Sequence, residues 1–160
     1  MTSQSAPEAF ESRANVESGG HSGSVEIVPY ERGFMGGVVA LCAAERWATY
    51  SDDPERTHRA CTAPGMTAFV ARDDREIVGL VCIQSDGVIQ AHLSLIVVAA
   101  PHRRRGVARE LILQASAVAG GWRIDLVTAG AEAFYASFDH RRLEGFRIYP
   151  NPSGADPLPG

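Results

Sequence analysis

Residues 93–119, LSLIVVAAPHRRRGVARELILQASAVA, hold the densest chemistry in the chain. An apolar run, Leu93 to Ala100, stops at Pro101 and gives way to Arg103, Arg104 and Arg105. Gly106 then opens into an amphipathic segment that begins Val107-Ala108. This order predicts a buried strand, a tight basic loop and a helix N-terminus. The first turn of a helix carries unpaired N–H groups and a partial positive charge, so it suits an anion of phosphate size. Gly106 would let the backbone approach that anion, and each arginine could add a charge-assisted hydrogen bond of about 1.5–3 kcal/mol. The plainer alternative is a solvated basic turn before an ordinary helix. The buried strand upstream and the small residues at 106 and 108 weigh against it.

Two further residues could move protons. His92 is polar in a strand that otherwise reads as buried, and a side-chain period of two puts it on one face with Val88, Gln90, Ser94 and Ile96. An imidazole, ordinarily titrating near ~6.5, suits a general base for an ammonium, directly or through water. A hydrogen-bonded structural histidine is the equal alternative. In AEAFYASF, Ala131, Phe134 and Phe138 fall at i, i+3 and i+7, and Tyr135 lies about 100° round from Phe134 at the edge of that stripe. A phenol with pKa near ~10 can donate to a thiolate whose thiol titrates near ~8.5. An interfacial tyrosine with a satisfied hydroxyl is the bland reading. Trp47, Tyr50, Asp52 and Asp53 would offer a cationic amine an aromatic and acidic lining, although Asp52 serves equally as a helix cap.

These residues need elements to hold them. Ser24–Tyr30 reads as a strand and Phe34–Trp47 as a helix with Val38, Leu41, Cys42 and Ala44 or Glu45 near one stripe. Ser51 or Asp52 caps a second helix whose Pro54 sits in the first turn, where a missing N–H costs little. Ala63-Pro64-Gly65 ends it. Thr67–Arg72 and Glu76–Gln84 pair as a hairpin across Asp73-Asp74, and Ser85-Asp86-Gly87 turns into a long strand, Val88–Ala99. Val107, Leu111, Ala115 and Val118 line the next helix, which Gly120-Gly121 stops. Trp122–Thr128 follows as a buried strand, Ala131–Phe138 as a short helix and Phe146–Tyr149 as a last strand. The strand–helix–strand unit at 93–128 implies a right-handed parallel crossover, and everything earlier reads as antiparallel. The expected fold class is α/β (α+β), a mixed sheet with helices on both faces.

Composition narrows the function. At 160 residues and 45% hydrophobic, one domain with one sizeable core is the natural expectation. The net charge of −4 argues against a generic nucleic-acid binder, even though all 15 lysine-or-arginine positions are arginine. Cys42, Cys61 and Cys82 form no disulfide framework, which fits reduced thiols in a cytoplasmic protein. No run approaches the ~18 apolar residues of a membrane span, and the N-terminus does not read as a signal peptide. There is no Walker loop, Gly20-His-Ser-Gly23 is no nucleophile elbow, and His58 with Cys61 lacks a second ligand pair for zinc. Residues 1–23 read as a disordered tail and 151–160 as a flexible one.

Arg103-x-x-Gly106-x-Ala108 matches R/Q-x-x-G-x-G/A, the pyrophosphate motif of the GCN5-related N-acetyltransferases (GNAT). The order of elements over residues 24–149 resembles that family's fold, and Ala131-x-x-x-Tyr135 resembles the family helix whose tyrosine protonates the departing thiolate. The resemblance implies a six- to seven-stranded mixed sheet with about four helices, in a domain spanning 24–150. It implies acetyl-CoA as co-substrate and no metal. The diphosphate would lie on Arg103, Arg104, Arg105, Gly106, Val107 and Ala108. The pantetheine arm would run along strand 88–99 in the splay beside 122–128, and an N–H near Val97 or Val98 would steady the oxyanion. His92 or a water would take the proton of an amine that attacks the thioester directly, and Tyr135 would protonate the thiolate. The acceptor, a small-molecule amine more than a protein, would lie over Trp47, Tyr50 and Asp52. A cytoplasmic enzyme without nucleic-acid or membrane partners follows, with a homodimer left open. Pro101 to Gly106 is one residue shorter than the family spacing, and Gly145-Phe146 lies much further beyond Tyr135 than usual. That second departure supports the rival reading, a catalytically inactive acyl-CoA-binding regulatory module. A nucleic-acid domain built on Arg103–Arg105 with Arg141 and Arg142 is the other rival. The acidic balance speaks against it.

Overall fold

Three central strands set the architecture. In the computed structural model, which describes residues 24–148 and Pro150, β2 (Met66–Asp73), β3 (Glu76–Ser85) and β4 (Gln90–Val98) form an antiparallel meander. β1 (Glu26–Pro29) and β5 (Arg123–Asp125) flank it, giving the order β1-β2-β3-β4-β5. β1 is antiparallel to β2, whereas β5 runs parallel to β4. Helices cover both faces of β3, so Ile77–Ile83 is buried throughout and its sequence is a continuous apolar run.

On one face α4 (Val107–Ala119) lays Val107, Leu111 and Ala115 against Phe69, Val81 and Leu93. On the other, α1 (Met35–Ala44) and α3 (Pro54–Cys61) set Val38, Leu41 and Cys61 against Val70, Leu80 and Leu95. Cys42, Cys61 and Cys82 are free and buried in this second layer, with the Cys61 and Cys82 sulfurs 3.8 Å apart. No helix among the described residues is long and apolar enough to cross a membrane.

Several expected boundaries shift for identifiable reasons. The first helix stops at Ala44 because Arg46 adopts a left-handed backbone (φ 63°), and Trp47 N–H turns back to the Cys42 carbonyl at 2.8 Å. A separate short helix, α2 (Ala48–Ser51), follows. The cap of α3 is Asp53, which accepts from Arg56 N–H at 2.9 Å, and neither Ser51 nor Asp52 fills that role. The hairpin turns at Asp74-Arg75, between the paired Asp73 and Glu76. β4 starts at Gln90 because the Asp86 carboxylate gathers the N–H groups of Val88, Ile89 and Gln90 into a loop. Val118, at the stripe's edge in the last turn of α4, is exposed, and Ile112 and Ala119 are buried instead.

The C-terminal third departs most. β5 has three residues, and Trp122 is 88% exposed where a buried strand was expected. α5 (Glu132–Tyr135) is a single turn. Residues 146–148 pair with no strand among the described residues; Phe146 and Ile148 are exposed, and Tyr149 lies outside the described residues, as do the two expected tails, 1–23 and 151–160. Five strands therefore replace the expected six or seven among the described residues.

The sheet and α4 meet most tightly at Gly79, where an added Cβ would lie 2.9 Å from Leu111 Cδ1. Leu111 itself is fully buried. Leu111→Ala should lower unfolding free energy by about 2–5 kcal/mol, because it removes core contacts and leaves a cavity that the rigid sheet does not fill. Urea denaturation checks this, and a loss under 1 kcal/mol would show that the helix repacks.

Candidate active site

β4 carries one residue more than β3 at the centre of their ladder. Cys82 faces Leu95 and Ile83 faces Leu93, so Ser94 is a β-bulge. A bulge reverses the side-chain alternation. Ala91 and Leu93 face α4 before it and Ile96 and Val98 do so after it, while Leu95 and Val97 turn to the α1–α3 layer. The expected grouping of Ile96 with Gln90, His92 and Ser94 is thereby broken. His92 and Ser94 point to the α1–α3 side and are exposed.

Pairing between β4 and β5 ends at His92↔Asp125. Beyond it the outer edge of β4 has no strand partner, and His92 stands where the two strands part. Ala99 N–H donates to the Val78 carbonyl at 2.9 Å, and an antiparallel ladder alternates, so Val97 also turns its N–H towards β3. Val98 therefore turns its N–H and carbonyl to the open edge. Of the two candidates for an oxyanion donor, the geometry brings Val98 to the gap and leaves Val97 in the ladder.

The loop that follows is held at three points. A 3-10 turn, Ala100–His102, leads out of β4. His102 Nε2 meets the Asp73 carboxylate of the β2–β3 turn at 3.1 Å, while its Nδ1 is buried without a partner among the described residues. Glu45, the residue that ends α1, accepts from Ala100 N–H at 3.0 Å and pairs with the Arg103 guanidinium. Arg103 also donates through Nε to the Val98 carbonyl at 3.0 Å. The expected phosphate ligand thus has two partners in its own protein while its side chain stays 55% exposed, and Arg104 and Arg105 are exposed as well.

Next comes an anion-shaped turn. Arg104 (φ 59°) and Gly106 (φ 84°) are both left-handed, and Gly106 caps α4 without any side-chain acceptor. From Arg104 to Arg109 no backbone N–H has a hydrogen-bond partner among the described residues; the first to find one is Glu110, at 3.0 Å from the Gly106 carbonyl. A Cβ at Gly106 would meet nothing within 4 Å. Unpartnered N–H groups at the start of a 13-residue helix, with open space at Gly106, could hold phosphate oxygens in a cradle. Val107 is buried beneath and Ala108 partly buried.

Tyr135 reaches the site from the α4 face. Its ring packs edge-on against Phe134 at 5.0 Å, and Phe134 meets Phe138 at 5.5 Å. The phenol has no hydrogen-bond partner among the described residues, and burial raises its pKa above the ordinary 10.0. Arg109 lies over the Phe138 ring at 4.4 Å and donates to the Ser137 carbonyl at 3.3 Å, tying α5 to the first turn of α4. Tyr135 packs with the α4 layer and His92 faces the α1–α3 side, so the two lie on opposite faces of the sheet. On the α1–α3 side, the Trp47 and Tyr50 rings meet at a tilt with centroids 6.1 Å apart, Trp47 is 40% exposed, and Asp52 is exposed two residues beyond Tyr50. Among the described residues no group of three or more His, Cys, Asp or Glu could hold a metal ion.

The sequence reading missed Glu45, Asp73 and Arg109. Their partners lie 55, 29 and 28 residues away, so no local pattern could have found them.

Known proteins share this fold. No curated protein matches the chain. Solved structures match it closely in shape and weakly in sequence. An aminoglycoside acetyltransferase from an uncultured soil metagenomic sample superposes with a TM-score of 0.64 at 21% identity, over 79% of this chain and 98% of that one. A ribosomal-protein-alanine N-acetyltransferase from Brucella melitensis biovar Abortus 2308 gives 0.64 at 18%, over 79% and 99%. A transcriptional regulator from Bacillus halodurans C-125 gives 0.65 at 17%, over 79% and 99%. At such identities these likenesses establish the fold alone. The model of the Acetyltransferase (GNAT) family matches residues 37–139, from α1 through the strand, cradle and α4 to the end of the Tyr135 turn, and the chain belongs to that family.

Proposed function

We propose that this enzyme transfers the acetyl group of acetyl-CoA directly to an amine, a small molecule rather than a protein. The observation that carries the reading is the run of unpartnered N–H groups from Arg104 to Arg109 beneath open space at Gly106. It fits a diphosphate, with Arg104 and Arg105 free to add charge. Acetyl-CoA supplies the activated thioester. The unpaired edge of β4 would hold its pantetheine arm as a strand would, and Val98 N–H would steady the carbonyl oxygen as charge develops on it. His92 would take the amine's proton directly or through water, and Tyr135 would donate to the departing sulfur. Trp47, Tyr50 and Asp52 would line the acceptor side. The free, buried thiols accord with a reducing compartment, and we place the protein in the cytoplasm.

A second reading has its own support. Residues 136–148, beyond α5, hold no helix or strand, which would suit a regulatory module that binds acyl-CoA without turning it over. It predicts cofactor binding with no thiol release over a broad amine panel.

Gly106→Glu should weaken acetyl-CoA binding more than tenfold while the melting temperature stays within a few degrees. The new carboxylate would occupy the diphosphate position, and the left-handed backbone costs a non-glycine residue about 1 kcal/mol. Unchanged titration heats would sink the cradle assignment.

Tyr135→Phe should lower kcat and kcat/KM together by about 10²–10⁴, the range for a general acid, with acetyl-CoA affinity little changed. Because burial raises the pKa of this phenol, its donating form persists past pH 10.0, so its phenolate absorbance should appear above that pH and kcat should fall there. Turnover within twofold of wild type would rule Tyr135 out. Acyl donors with more acidic leaving thiols should narrow the deficit.

A further inference from the structure

We infer that Glu45 and Arg103 together form a brace that positions the cradle and the open end of β4, with Arg103 acting on acetyl-CoA binding through Glu45 and not as a ligand of the diphosphate. The inference rests on the proposed cofactor reading and assigns two residues of the same site.

Three contacts converge on the brace. One Glu45 oxygen accepts from Ala100 N–H at 3.0 Å, the first residue beyond the open edge. The other pairs with the Arg103 guanidinium. Arg103 Nε donates to the Val98 carbonyl at 3.0 Å. The Glu45 side chain is only 13% exposed, so its charge is largely withdrawn from water and depends on these donors. Two ends of one small network are therefore fixed to a single carboxylate. One is the residue whose N–H faces the gap, and the other is the root of the loop that forms the cradle.

Glu45 is also the C-terminal cap residue of α1, followed by left-handed Arg46 and then Trp47. The Trp47 N–H is tied back to Cys42. The carboxylate thus joins the donor side of the site to the element that begins the acceptor lining. Its partner Arg103 lies 58 residues away in sequence. Arg103 is 55% exposed, yet its guanidinium is already engaged by a carboxylate and a carbonyl, whereas Arg104 and Arg105 are exposed with no such partner among the described residues.

The test is a double-mutant cycle read by acetyl-CoA calorimetry. Glu45→Ala, Arg103→Ala and the double variant should each weaken binding by about the same factor, roughly tenfold, because each removes the same brace. Glu45→Gln keeps the acceptor for Ala100 N–H and should lose less. If Arg103 is a diphosphate ligand, Arg103→Ala will cost as much in the Glu45→Ala background as in the wild type. That additive outcome overturns the proposal. So does wild-type affinity in Glu45→Ala.

A second measurement needs no cofactor. Amide exchange of Ala100 in the ligand-free protein should accelerate at least tenfold in Glu45→Ala, with less change in Glu45→Gln and unchanged protection in the β2–β3 ladder. If wild type fails to bind acetyl-CoA, the cofactor reading falls and the exchange result alone decides whether Glu45 holds the loop. Unchanged Ala100 protection would remove the brace.

Discussion

The pairing of β4 with β5 stops after three residue pairs, and much of the site depends on that arrest. Backbone groups on the open edge of a strand must be satisfied by something other than a neighbouring strand. Beyond His92 the edge of β4 meets Arg103 at its far end, which binds the Val98 carbonyl, and leaves the groups between them to solvent or to an extended ligand. The bulge at Ser94 works with this arrest. It reverses the strand's faces, sending Leu95 and Val97 into the α1–α3 layer and Ile96 and Val98 to the α4 layer. An open edge and an altered facing therefore coincide at one point of the sheet.

Around that point, the helices do different work on the two faces. α4 offers an uncapped N-terminus because nothing but Gly106 precedes it, a residue with no side chain to cap with. α1 offers a carboxylate at its C-terminus, the end where the helix dipole disfavours negative charge. The donors on Ala100 and Arg103 offset that unfavourable placement. A weaker set of donors would leave a half-buried charge unpaired.

What could be read from the residues was what is local. The strand, turn and helix over 93–119 follow from an apolar run, a proline, a glycine and a helical stripe, all within reach of one another along the chain. The pyrophosphate motif is local for the same reason, since one turn of backbone forms the cradle. The bulge left no trace, because the polar–apolar alternation from Gln90 to Leu95 runs straight through Ser94 and the IVV beyond it is apolar at every position. The partner of Arg103 was illegible for a different reason. Sequence shows that a guanidinium is present and not which carboxylate it meets, and Glu45 is separated from it by three strands. The C-terminal strand failed because alternation in FRIY states a preference that only a neighbouring edge can satisfy. Among the described residues none does so at 146–148.

The placement of His92 and Tyr135 on opposite faces has one more consequence. In the proposed reaction an amine gives up a proton on one side and a sulfur takes one up on the other. The sheet would then stand between the two steps, and the proton released would not be the proton consumed. Each turnover would leave a positive imidazole below and a phenolate above. Both must be reset by solvent before the next, through separate routes.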